Sequence, residues 1–153
     1  METLFESYVA HMLKKHLNSS IYSLSIQESK ISLFDKPKSF TLRPDIVIRD
    51  KDNNVFILDT KWKLLSSENK INYGISQADM YQMYAYQRRY KSKNVSLVYP
   101  KSPYFKQNKD ISYLSARDGD TEAIINLKFF DLLNPHLSLS EIENGFSNAF
   151  IKT

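Results

Sequence analysis

Cysteine is absent from this 153-residue chain. Its absence excludes disulfides, thiol nucleophiles and zinc–cysteine sites, and a reducing cytoplasm is the expected location. Glycine occurs only three times, too seldom for the glycine loops that cradle phosphate in nucleotide hydrolases. Three histidines, His11, His16 and His136, are too few and too scattered for a histidine metal cluster. No run of about eighteen apolar residues occurs and no export leader opens the chain, so no membrane contact is expected. Internal repeats and low-complexity stretches are missing as well. What remains is ordinary for a globular protein: 42% hydrophobic and 25% charged residues, in a length that suits one domain with one core. The net charge of +4 suits a phosphate-bearing ligand, as it would many basic proteins without one. Ten tyrosines and nine phenylalanines are an unusual endowment, expected mostly in the core and at its edges.

Against this background one stretch stands out. Arg43-Pro44-Asp45-Ile46-Val47-Ile48 and Val55-Phe56-Ile57-Leu58-Asp59-Thr60-Lys61 are apolar runs, each carrying an aspartate where a buried strand should have none. Between them Asp50-Lys51-Asp52-Asn53-Asn54 reads as the turn of a hairpin. A turn centred on Asp52 places Asp45 opposite Asp59 and Arg43 opposite Lys61. Alternation along the strands then puts these four on one face, with Ile46, Ile48, Phe56, Leu58, Thr60 and Trp62 on the other. Opposed carboxylates repel, and ionised ones are costly to keep in a sheet. A shared hard cation relieves both, because Mg²⁺ accepts a few carboxylates and completes its shell with water and phosphate oxygens. The expected ligands of Mg²⁺, or Mn²⁺ as a substitute, are Asp45, Asp59 and the backbone carbonyl of Thr60. The matching chemistry is phosphodiester hydrolysis, with Lys61 beside the attacking water or the scissile phosphate. Arg43 and Lys63 are candidates for contact with DNA.

Pro44-Asp45 followed by Asp59-Thr60-Lys61 resembles the PD-(D/E)xK nuclease superfamily. Asp59-Thr60-Lys61-Trp62-Lys63 is similar to the corresponding run of McrC, the nuclease subunit of methylcytosine-dependent restriction systems. Asp79-Met80-Tyr81-Gln82-Met83-Tyr84-Ala85-Tyr86 is similar to the downstream helix of that family, with its Gln-x-x-x-Tyr element at Gln82 and Tyr86. The likeness runs from about residue 3 to residue 100. It implies an α/β fold with a central mixed sheet flanked by helices, and a metal-dependent DNA endonuclease serving phage defence. It also implies an acidic residue near the metal on the first helix, here Glu6, as a further catalytic and ligand candidate. Gln82 would help position the site or touch the DNA backbone, and Tyr86 is a further candidate for contact with DNA. McrC subunits dock on an AAA+ GTPase, McrB, through an amino-terminal region. This sequence begins almost at the nuclease part, so one nuclease domain over 1–153 without that region is expected, and a homodimer stays open.

Bland readings compete. Thr3 and Glu6, like Ser76 and Asp79, have capping-box spacing, and so do Ser138 and Glu141. Asp45, Asp59, Lys61 and Arg43 could form a four-charge network with no metal. The rival functions are a non-catalytic DNA-binding module of the same fold and a solo structure-specific nuclease such as a junction resolvase. Helices are expected over 3–17, 76–91 and 139–150, with strands over 21–26, 40–49, 55–62, 95–99, 111–116 and 123–130. A loop is expected over 64–74, and a turn at Asp118-Gly119-Asp120.

Overall fold

A computed structural model describes residues 1–66, 71–103, 105, 111–117, 119 and 122–148. Its first element is the helix α1 (Glu2–His16), followed by β1 (Ser23–Ile26), β2 (Ser32–Asp35), β3 (Lys38–Thr41), β4 (Ile46–Arg49) and β5 (Val55–Thr60). Then come α2 (Gln77–Tyr90), β6 (Asn94–Pro100), β7 (Ile111–Leu114), β8 (Ile124–Phe130) and α3 (Pro135–Asn148). Six strands form one mixed sheet in the order β1-β4-β5-β6-β8-β7, while β2 and β3 pair separately as a hairpin. β6 lies between β5 and β8 and runs parallel to both. All seven of its residues are buried, as a central parallel strand covered on both faces requires.

The two faces carry separate cores. Ile46, Ile48, Phe56, Leu58 and Val98 pack beneath α1 and α3, against Phe5, Val9, Leu13, Ile142 and Phe146. Val47, Ile57, Val95, Leu97, Ile125 and Leu127 face α2 through Met83, Tyr86 and Tyr90. The period-two alternation of the apolar residues in β4 and β5 therefore supplies both layers.

The β4–β5 register pairs Ile46 with Leu58 and Ile48 with Phe56, as the turn at Asp52 predicts. The Asp50 side chain holds that turn, accepting from Asp52 N at 2.9 Å, Asn54 N at 3.0 Å and the Asn54 amide at 3.0 and 3.2 Å. Asn53 takes the left-handed conformation (φ 59°), which asparagine tolerates better than most residues.

Several boundaries differ from the sequence reading. The stretch 40–49 is not one strand. Thr41 closes β3, and β4 begins only after Pro44, which has no N–H to give a ladder. The β2–β3 hairpin went unpredicted because its strands are four residues long, with no clear alternation. α1 begins at Glu2 with Met1 as its cap residue and no side-chain cap, so Thr3 and Glu6 form no capping box. α3 starts at Pro135, a residue suited to a first helical turn. Ser138 thus lies inside the helix, where its hydroxyl accepts from Asp131 N at 2.8 Å. At α2 the cap is as expected, with Ser76 Oγ accepting from Asp79 N at 3.0 Å. Within the expected 64–74 loop, Ile71–Gly74 forms a short 3₁₀ turn. Positions 67–70, 118, 120, 149 and 150 lie outside the described residues.

Replacing Asp50 with alanine removes the acceptor common to the turn. Stability in a denaturant titration should fall by roughly 1–2 kcal/mol, in the range for hydrogen bonds to a charged group near the surface.

Candidate active site

β5 places Asp59 in the middle of the sheet, where its residue is only 2% exposed. Burial pushes its carboxyl from the ordinary 3.8 up to about 7, and the nearby Asp45 charge pushes the same way. Lys61 opposes both: its ammonium lies 2.8 Å from Asp59 Oδ2. A hydrogen bond from the Asp45 backbone to the same carboxyl works in the same direction as the lysine. The opposite balance holds for the lysine. Burial disfavours its charge, but Asp59, Asp79 and Asp45 outweigh that and raise its pKa. Lys61 is therefore a fixed cation, unsuited to act as a general base.

Asp45 sits just ahead of β4 and does not simply face Asp59 across the sheet. Its Oδ2 accepts from Thr60 N at 2.8 Å and from Thr60 Oγ1 at 2.9 Å. The carboxylate thus continues the ladder where β4 has ended, and Thr60 joins the site despite its place on the opposite face by alternation. Asp45 Oδ1 accepts from Gln27 Nε2 at 3.0 Å. Gln27 also donates to Glu6 Oε1 at 2.5 Å, linking α1 to the aspartate. Burial raises the Glu6 pKa, as does the Asp45 charge, while the Gln27 hydrogen bond works against them.

On the opposite flank α2 supplies a second set of contacts. Lys61 Nζ donates to Gln82 Oε1 at 3.5 Å, and Gln82 Nε2 donates to the Tyr86 hydroxyl at 2.9 Å. Asp79 Oδ1 lies 3.7 Å from the same ammonium. A residue readable as a helix cap is thus also part of the site.

The structure brings together Glu6, Asp45, Asp59, Thr60, Lys61 and Gln82. Of the three candidates for contact with DNA, it puts one out of reach. Tyr86 is 1% exposed and cannot meet DNA; it supports Gln82 from beneath. Arg43 is exposed and pairs with neither aspartate among the described residues, so the four-charge network is reduced to Lys61 with Asp59 and Asp79. Lys63 donates to the carbonyl of Gly74, securing the 3₁₀ turn. Sequence reasoning missed Gln27. It follows β1 and meets Asp45 because β1 pairs with β4 in a register that aligns Ile26 with Ile46. No local motif marks it; only the long-range pairing does.

The model of one protein family, the McrBC 5-methylcytosine restriction system component, matches residues 1–100. The chain belongs to that family. The match bears out the resemblance to McrC that the residues suggest. Among solved structures, the fold is similar to a chain in the refined half-complex from the tetradecameric assembly of Thermococcus gammatolerans McrB AAA+ hexamers with bound McrC. The TM-score is 0.66 at 16% identity, over 97% of this chain and 33% of that one. This chain therefore spans about a third of the length of the one it resembles, and its central six-stranded mixed sheet flanked by helices is consistent with a restriction-endonuclease-like fold. No curated protein sequence matches. Among the described residues no helix is long and apolar enough to cross a membrane.

The two carboxylates, with the Thr60 backbone carbonyl that the sequence reading adds, would make an all-oxygen donor set of the kind that suits a hard divalent cation. Asp59 Oδ2, buried against the Lys61 ammonium, is an atom that such a cation would meet. Among the described residues no three acidic or histidine side chains converge on one point, so Glu6 does not close a cage. Water and phosphate would fill the remaining positions.

The raised Asp59 pKa has a definite sign in stability. The folded state holds the proton up to about pH 7, whereas the unfolded chain releases it near 3.8. Asp59 therefore stabilises the fold fully below the lower value, and this contribution is lost as pH rises through the upper one. In chelator, the melting temperature of wild type should fall relative to Asp59→Asn as the pH rises from about 4 to about 7. At the upper end the variant should be at least as stable. A wild type clearly more stable at about pH 8 would mean that the Lys61 ion pair outweighs burial.

Proposed function

We propose that this chain is a Mg²⁺-dependent DNA endonuclease, the cleavage component of its restriction system. The observation that carries this reading is Asp59: a buried carboxylate beside Asp45, with a fixed lysine cation against it. A bound Mg²⁺ supplies Lewis-acid polarisation of the phosphate and a water acidic enough to attack it. Asp45 and Asp59 would hold that ion, and the Thr60 N–H and hydroxyl keep Asp45 oriented toward it. Lys61, held by Asp59, Asp79 and Gln82, presents its charge to the phosphate as negative charge develops there. Gln82 and the buried Tyr86 fix the lysine's direction without touching the substrate. Gln27 ties Glu6 to Asp45, so α1 helps set the carboxylate. The structurally similar chain comes from an assembly of McrB AAA+ hexamers with bound McrC, and an AAA+ protein of that kind is the proposed partner.

A pure structural network would leave both aspartates indifferent to divalent metal. Calorimetric titration of the chain with Mg²⁺ and Mn²⁺ should show weak binding that Asp45→Ala and Asp59→Ala abolish. Unchanged isotherms in both variants defeat the metal assignment.

Lys61 acts on charge that develops only in the transition state, so its loss should fall on rate and not on affinity. Lys61→Ala should slow single-turnover plasmid cleavage by roughly two to three orders of magnitude, the usual cost of losing one electrostatic stabiliser. DNA affinity should stay nearly intact. Lys63→Ala should instead weaken binding and lower the salt slope by about one, with little loss at saturation. Equal, purely affinity-based losses for the two lysines would remove Lys61 from the chemistry.

A further inference from the structure

The β2–β3 hairpin has no part in the site yet carries an unusual surface. Lys36, Lys38 and Arg43 are exposed and form no ion pair among the described residues. The one acidic residue of the hairpin, Asp35, is already paired, with Arg89 of α2 at 2.9 Å. Two phenylalanines stand among these cations, Phe34 at 54% and Phe40 at 72% exposure. Their rings meet edge to face at 6.0 Å.

The conformation of Phe40 sharpens the point. Its φ is 57°, a region in which a bulky side chain is strained. Phe34 pairs with Ser39 across the hairpin, so plain alternation would send the next residue, Phe40, to the other side. The positive φ instead brings its ring against Phe34. The chain thus accepts local strain to form an aromatic pair that stays in water and adds nothing to either core. Such strain is characteristic of binding elements.

The hairpin is also close to the reacting centre. Only four residues separate Phe40 from Asp45, and Arg43 lies between them. At about 3.3–3.6 Å per residue, Phe40 stands no more than roughly 18 Å from Asp45 along the chain. Arg89 fastens the hairpin from below, donating to Ser32 O at 3.0 Å. The surface is therefore held rigidly beside the site.

We propose that the β2–β3 hairpin is a second contact with duplex DNA, adjacent to the cleaved phosphodiester. Lys36, Lys38 and Arg43 take phosphates, and the Phe34–Phe40 pair presses on the groove between them. The charge favours a polyanion over a protein, and exposed apolar rings between cations are how groove-binding proteins wedge base steps. This inference rests on the nuclease reading, since it names how that substrate is held.

The experiment is fluorescence anisotropy of the full chain with a labelled duplex across a salt series, alongside plasmid cleavage. Lys36→Ala with Lys38→Ala should reduce the salt slope by about two. Phe40→Gly removes the ring at a position where glycine is unstrained. It should leave the melting temperature unchanged or raised while weakening DNA binding by about tenfold. A clear drop in melting temperature would make the ring structural and overturn the proposal. Wild-type affinity in the hairpin variants, with Lys61→Ala still losing cleavage, would overturn the hairpin role alone. So would normal DNA binding with loss of association to the AAA+ partner, which would make this a protein-docking surface. A wild type that neither binds nor cuts DNA would overturn both this proposal and the nuclease reading.

Discussion

Burying an ionisable carboxylate in a central strand governs how the rest of this fold is arranged. Asp59 follows Leu58 and precedes Thr60, both essentially inaccessible, and its strand lies between β4 and β6. Desolvation at such a place is expensive unless a charge or a strong donor compensates. The fold provides the compensation through the Lys61 ammonium and a backbone hydrogen bond at Asp45. That lysine is held in turn from α2, by Gln82 and Asp79. Even so, burial keeps the Asp59 pKa raised, and the divalent cation proposed above would offset that cost.

Asp45 solves a different problem. It has no buried strand to resist and is amply hydrogen-bonded, with Thr60 and Gln27 on its two oxygens. The two aspartates are therefore unequal in spite of their symmetric appearance in sequence. Asp59 is the one that burial discourages from ionising, whereas Asp45 is prepared as an oriented acceptor. The Asp45 charge raises the Asp59 pKa, second only to burial.

Local pattern made the centre legible. The turn at Asp50–Asn54 fixed the β4–β5 register, and that register alone brought Asp45, Asp59 and Lys61 together. The α2 cap at Ser76 and the spacing of Gln82 and Tyr86 were equally local and equally readable. What stayed hidden depended on distant pairings. Gln27 reaches Asp45 only because β1 adds to the edge of β4. Tyr86 was a candidate for contact with DNA, and its helical spacing from Gln82 gives a shared face but not which layer covers it. The β2–β3 hairpin carries four-residue strands and a strained Phe40, neither of which leaves a periodic trace. Capping-box spacing misled at Thr3 and Ser138, where the helices begin earlier because neighbouring packing and Pro135 set their starts.

α2 joins these parts mechanically. Its first turns carry Asp79 and Gln82, which hold Lys61, and its last turn carries Arg89, which holds the hairpin backbone at Ser32 and the Asp35 carboxylate. Between them Met83, Tyr86 and Tyr90 fix the helix to the sheet. A helix packed along its buried face in this manner cannot shift one end without the other, because close-packed interiors transmit displacement instead of absorbing it. The reacting centre and the aromatic-basic hairpin are thus two ends of one rigid element. Substrate gripped by the hairpin would be presented to Lys61 in a fixed relation, which is how a site on regular elements attains the sub-ångström positioning that phosphoryl chemistry needs.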